Sequence, residues 1–128
     1  MCPICDAEPG SHSFEFYGKT NEGIYMYYTC PANASKYWDT EGILNHYKEV
    51  LEQNNNKKWM WLFDSKGFGI KHSMEMATAM GIIKILSKYE NSLCEIQILN
   101  ANPLIKTFYL LIYQFLSIDT INKIKWQQ

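Results

Sequence analysis

Three features of the sequence predict an α/β fold, a mostly parallel sheet flanked by helices with a β-hairpin at the N-terminal end. "SHSFEFYG" and "GIYMYYTC" both alternate apolar and polar residues on either side of the polar turn "KTNEG". That is the pattern of two half-buried strands joined as a hairpin. "WMWLFD", Trp59 to Asp64, is apolar almost without interruption, as a strand buried on both faces of a parallel sheet must be. Around it, segments of helical and strand periodicity alternate to the end of the chain, the order of a layered α/β domain.

Residues 1–10 carry Cys2, Pro3, Cys5, Pro9 and Gly10 and read as a knuckle or loop. After the hairpin, "PANASKYW" is a connection. Asp39 or Thr40 is placed to cap a helix, since a short polar side chain there accepts from an unpaired first-turn amide. Ile43, Leu44, Tyr47, Val50 and Leu51 then fall at helical spacing on one apolar face. "EQNNNKK" ends that helix in a polar loop before the buried strand. Ser73 is placed to cap the next helix, with Met76, Met80, Ile83 and Leu86 as its buried stripe and Ala77, Ala79 and Gly81 allowing close packing. "EIQIL" puts Ile96 and Ile98 on one face of a strand and Glu95 and Gln97 on the other. Asn102 caps a third helix and Pro103 takes its first position, where a missing N–H costs nothing. From Leu104 to Leu116 that helix is apolar nearly all round, and "KIKW" reads as a last short strand. With no internal repeat and no linker, residues 1–128 are read as one domain, of which 1–30 form a cysteine-bearing hairpin.

Composition narrows the functional classes. A length of 128 residues suits a single core, and 47% hydrophobic with 20% charged residues is a globular balance. A net charge of −1 leaves no electrostatic footprint for nucleic acid. All 12 basic residues are lysines, so any anion site must use Lys or backbone N–H groups in place of a bidentate guanidinium. "MCPICDAEPG" lacks an apolar leader. The longest apolar run, "LIKTFYLLIYQFL", is too short and interrupted to be a transmembrane segment. Four cysteines in such a chain predict free thiols in a reduced, cytoplasmic setting.

One constellation carries metal chemistry. Cys2-Pro-Ile-Cys5 has zinc-knuckle spacing, and a structural zinc site wants four N/S ligands in a tetrahedron. A hairpin turning about Asn21 sets His12 opposite Cys30, beside the segment leading back to the two thiols. Cys2, Cys5, His12 and Cys30 are therefore predicted as a structural zinc set. The competing reading is two surface thiols on a loose terminus, with Cys30 packed in the sheet. His46 reads as a solvated or capping residue, and Cys94 as core. No organic cofactor motif is present: "DSKGFG" lacks the glycine spacing and Lys-Ser/Thr pair of a phosphate loop. Asp64, Ser65, His72 and Ser73 are neighbours in sequence, but no nucleophile has a placed base, so the chain is read as non-enzymatic. Asp64 is read as an acceptor for turn amides, with Gly67 and Gly69 supplying positive φ.

An ordered set of motifs goes further. A strand ends in Asp64, and a turn with Lys66 and Gly67 follows. Then come a helix, Tyr89 ahead of the next strand, and "ILNANP" (Ile98 to Pro103). Last are "QFL" and "SIDTINKI". This order resembles the CRAL-TRIO lipid-binding domain family over roughly residues 25–126. The resemblance implies a CRAL-TRIO scaffold, divergent and C-terminally shortened, that binds a lipid or other hydrophobic small molecule without catalysing a reaction. It implies that Phe68, Met76, Met80, Ile83, Phe108, Leu111, Ile112 and Phe115 line the pocket, and that Lys66, Lys71 and Lys106 meet a phosphate. The third helix would then belong to the gate over the lipid. Divergent members of the family dock small GTPases or other proteins, so a protein partner or homodimer is the alternative. Either use fits an intracellular protein that works peripherally at membranes.

Overall fold

The N-terminal hairpin is β1 (Glu15–Lys19) and β2 (Tyr25–Thr29), paired antiparallel. Three further strands, β3 (Trp59–Asp64), β4 (Leu93–Leu99) and β5 (Ile124–Trp126), extend the sheet in parallel, giving the order β1-β2-β3-β4-β5. The computed structural model describes residues 2–127.

Each parallel strand is added on the same side of the one before it. Right-handed crossovers then force every connecting helix onto one face of the sheet. The chain does this with α2 (Thr40–Gln53), then α3 (Ile70–Ser73) and α4 (Met76–Tyr89), then α5 (Pro103–Ile112) and α6 (Ile118–Asn122). Ahead of the hairpin lies a one-turn helix, α1 (Pro3–Ala7), where the sequence suggested a knuckle or loop.

The main core sits between the sheet and this helical layer. Ile43, Tyr47 and Leu51 of α2 and Ile85 and Leu86 of α4 pack on Tyr27, Trp59, Trp61, Ile96 and Ile98. A smaller cluster of Phe68, Ile105 and Phe108 seats α5. Strand β3 explains its own composition. Trp59, Trp61 and Phe63 alternate toward the helices, while Met60, Leu62 and Asp64 face the other way, and all but Phe63 are buried.

Caps set the helix starts. Asp39 accepts from the Gly42 amide at 3.2 Å and begins α2. Asn102 accepts from the Ile105 amide at 2.9 Å, with Pro103 in the first turn of α5. Ser73 does not cap α4, contrary to its reading from sequence. It closes α3 instead, its hydroxyl donating to the Ile70 carbonyl at 2.7 Å, and α4 begins after Glu75 without a side-chain cap. Glycine roles divide as well. Gly67 has the expected positive φ of 77°, but Gly69 is extended, at φ −123°, and caps α3.

The hairpin register also differs from the one assumed in placing His12 opposite Cys30. Glu15 pairs with Tyr28 and Phe16 with Tyr27, but Gly18 pairs with Met26, so Tyr17 is bulged out. The Lys19–Tyr25 pair centres the turn on Glu22 instead of Asn21, and the bulge takes back only one residue of the resulting offset. The ladder begins only at Glu15, and His12 lies before it, outside the paired strands.

Candidate functional site

Beneath α5, the helical layer does not fully close on the sheet, and a cavity of about 180 Å³ remains. Its floor comes from the helix-facing positions of the strands: Thr29, Trp61, Phe63, Ile96, Ile98 and Ile124. Its walls are Ile43 and Tyr47 of α2, Ala79, Ile82 and Ile83 of α4, and Ile105, Phe108 and Ile112 of α5. Phe68 and His72 close the end near the turn after β3.

The polar groups among these residues are turned on one another. The Trp61 indole donates to the Thr29 hydroxyl at 2.9 Å, and Thr29 Oγ1 lies 3.2 Å from the Tyr47 hydroxyl. Burial pushes the Tyr47 phenol far above its ordinary pKa, so it stays neutral. His72 Nδ1 accepts from the Gly69 amide at 2.9 Å, which leaves the proton of the neutral ring on Nε2. Burial, helped by the Lys71 charge, lowers the His72 pKa and keeps that ring uncharged. A guest in the cavity therefore meets a mainly apolar surface, with Glu75 at the start of α4 the one acidic side chain among the described residues that line it.

Four of the residues expected to line a pocket do so: Phe68, Ile83, Phe108 and Ile112. The other four do not. Met76 packs against the small α5 cluster, and Met80 is half-buried on α4. Leu111 and Phe115 are 55% and 51% exposed, on the outer side of α5 and just beyond it. The reason is rotation: α5 points Ile105, Phe108 and Ile112 inward at i, i+3 and i+7, and Leu111 falls on another side. Sequence reasoning missed the floor residues Trp61, Phe63, Ile96 and Ile98. Their strand alternation carried the signal, but it read equally well as core.

Lys66, Lys71 and Lys106 are exposed and none lines the cavity. Lys71 instead sits over the Tyr37 ring, 5.1 Å from its centroid. Asp64, at the end of β3, faces away from the cavity. It accepts from Tyr28 at 2.5 Å, from Asn100 at 2.9 Å and from the Lys66 amide at 3.0 Å. Ser73 is engaged by Ile70 and His72 by Gly69, so no nucleophile–base pair is assembled from this stretch.

Of the predicted zinc set, Cys2, Cys5 and His12 come together, but with His46 as the fourth member. The four ligand atoms all lie within 4.8 Å of one another. Cys30 is elsewhere. Its Sγ donates to the Lys66 carbonyl at 3.5 Å and its amide donates to the Ser13 hydroxyl at 2.9 Å. The hairpin turns about Glu22, not Asn21, since Lys19 pairs with Tyr25, and its ladder ends at Glu15 before reaching His12. His46, expected to be solvated or capping, is half-buried, its Nδ1 3.6 Å from Cys5 Sγ of α1 and its Nε2 2.8 Å from the Phe14 carbonyl oxygen. Cys94, read as core, is half-buried at the register shift of β4. All four cysteines are free, and among the described residues no helix is long and apolar enough to cross a membrane.

Comparison with known proteins agrees with this architecture. The crystal structure of Sfh5 superposes with a TM-score of 0.71 at 16% sequence identity, covering 91% of this chain and 48% of that one. The chain thus spans about half the length of that protein. No curated protein sequence matches it. A family model, the CRAL/TRIO domain, matches residues 36–128, the segment from just before α2 through β5. The chain belongs to the CRAL/TRIO domain family, whose members in general bind lipids or other hydrophobic ligands rather than act as enzymes.

Proposed function

We propose that this domain is a non-enzymatic binder of a lipid or another hydrophobic ligand, and that the apolar part of the ligand lies between the sheet floor and α5. The supporting observation is the cavity itself. Its lining is mainly apolar, and Trp61, Thr29, Tyr47 and His72 are already hydrogen-bonded, so burying hydrocarbon there gains about 25 cal/mol per Å² without breaking those bonds. At about 180 Å³ it is smaller than the roughly 300–1,000 Å³ typical of drug-sized ligands. A full acyl chain therefore requires α5 to move outward. The helix is suited to that. It rests on the small cluster of Ile105, Phe108 and Phe68 rather than on the main core, and its outer side is apolar, with Leu110 66% exposed.

The test is native mass spectrometry of the purified full chain, with saturable binding of a fluorescent fatty acid as a second readout. A bound lipid, or fatty-acid binding that Ala79→Phe abolishes in a folded protein, supports the reading. Ala79 lines the cavity, so the added ring fills it. A chain that carries no lipid and shows no saturable fatty-acid binding overturns the reading.

A further inference from the structure

The N-terminal helix poses a physical problem. α1 has five residues and none of them is buried. A helix of that length is far below what is stable alone in water, and its one large apolar side chain, Ile4, is only half-buried. What it does have is a convergence of metal-ligand atoms. Cys2 precedes it, Cys5 lies in it, His12 follows it, and His46 comes from α2.

Three of the spacings among these atoms match the edges of a metal-centred tetrahedron, and all four atoms lie within 4.8 Å of one another. Cys2 Sγ lies 3.5 Å from His12 Nδ1, Cys5 Sγ lies 3.6 Å from His12 Nδ1, and Cys5 Sγ lies 3.6 Å from His46 Nδ1. With Zn–S near 2.3 Å and Zn–N near 2.0–2.1 Å, a tetrahedral S···N edge comes to about 3.5–3.6 Å. Two sulfurs equidistant from one ring nitrogen are not what an isolated S–H···N bond produces, since that nitrogen has one lone pair in the ring plane. They are what ligands of a common centre produce.

The outer nitrogens agree. His12 Nε2 is 3.0 Å from Asp39 Oδ2, and His46 Nε2 is 2.8 Å from the Phe14 carbonyl oxygen. Each neutral imidazole then donates from Nε2, leaving the Nδ1 lone pair toward the cysteines. A carboxylate on one ligand histidine and a backbone carbonyl on the other are the outer partners that metal-bound imidazoles use.

We infer that Cys2, Cys5, His12 and His46 form a closed structural site for one zinc ion, which pins α1 to α2 and to the start of the hairpin. Two thiolates and two imidazoles in a tetrahedron suit zinc over harder cations. Four protein ligands leave no open position, so the site is structural.

The full chain, purified without chelators, should contain about one zinc per chain by elemental analysis, as a closed four-ligand site requires. After chelation, Co(II) alone should restore one equivalent, with the intense d–d bands of a tetrahedral ion and a thiolate charge-transfer band. Cys5→Ser and His46→Ala should lose the metal, whereas Cys30→Ser should keep it. Because the ligand variants could unfold, the Co(II) spectrum of the wild-type chain decides independently. Absence of Zn(II) and Co(II) uptake by folded, reduced protein overturns the inference. So does a weak octahedral Co(II) spectrum, or metal lost in Cys30→Ser and retained in His46→Ala.

Discussion

Tyr28 on β2 donates its phenol to Asp64 at the end of β3 across 2.5 Å, closing the sheet face opposite the cavity. Asp64 also accepts from Asn100 and from the Lys66 amide, so one carboxylate ties two parallel strands to the turns that follow β3 and β4. Burial works against its charge. The hydrogen bonds from Asn100, Tyr28 and Lys66 outweigh that penalty and hold its pKa below the ordinary carboxylate value. Burial, together with the Asp64 carboxylate, pushes the Tyr28 phenol well above its usual range, so it remains a donor at any physiological pH.

Removing either partner should therefore destabilise the fold. Tyr28→Phe and Asp64→Asn are each expected to cost about 1.5–3 kcal/mol at neutral pH in urea denaturation, the range for a hydrogen bond to a charged group. The pH dependence has a definite sign. The folded-state pKa of Asp64 is depressed, so its contribution is complete above the unfolded value, near 3.9, and is lost as pH falls through the folded one. The gap between wild type and Asp64→Asn should narrow below about pH 4. A gap that is constant from pH 7 to acid would show that the carboxylate charge contributes nothing.

The cavity separates two phenylalanines that look alike in sequence. Phe108 is buried in the α5 cluster, whereas Phe115 is 51% exposed. Phe108→Ala should cost about 3–5 kcal/mol, the usual range for truncating a buried aromatic, and should enlarge the cavity. Phe115→Ala should stay within about 0.5 kcal/mol, as surface changes do. Equal losses for the two would mean that α5 packs with a different side inward.

Much of this arrangement was legible in the sequence, because it rests on local chemistry. The periodicity of "WMWLFD", the cap at Asp39 and the Asn102-Pro103 start each act within a few residues, and all three appear in the structure. What escaped the sequence depends on register and rotation. The hairpin turns about Glu22, one residue later than the Asn21 that would have set His12 opposite Cys30, and its ladder stops at Glu15. His46 joined the cysteines only because α2 passes over α1, which no spacing rule encodes. The floor residues Ile96 and Ile98 were placed on one face correctly, but a core position and a cavity wall have the same alternation.

Asn102 links the start of α5 to the turn after β3. Its side-chain oxygen caps α5 through the Ile105 amide, while its Nδ2 donates to the Ser65 and Phe68 carbonyls at 3.2 and 3.3 Å. Asn102→Ala should lose cap and tether together, costing about 1–2 kcal/mol. Asn102→Asp keeps the cap acceptor but sets a carboxylate against two carbonyls. Its helix start should persist in hydrogen exchange while the Ser65–Phe68 turn exchanges faster. Identical exchange in both variants would assign the whole effect to the cap.

Gly42 connects the start of α2 to the proposed metal. A Cβ built there collides with the Asp39 carboxylate and lies 2.9 Å from His12 Cε1. Asp39 both caps α2 and accepts from His12 Nε2, so the two groups cannot give way separately. Alanine in a helix is otherwise favoured over glycine by about 1 kcal/mol; the collision should outweigh that gain, because it displaces a cap and a ligand's outer partner at once. Gly42→Ala is expected to lower zinc affinity by roughly 10–100-fold, the usual effect of disturbing the outer partners of a metal site, measured by competition with a chromogenic chelator. The thermal midpoint of the zinc-loaded protein should fall toward that of the chelated protein. If Gly42→Ala binds zinc as tightly as wild type, the Asp39–His12 contact is not what orients the imidazole.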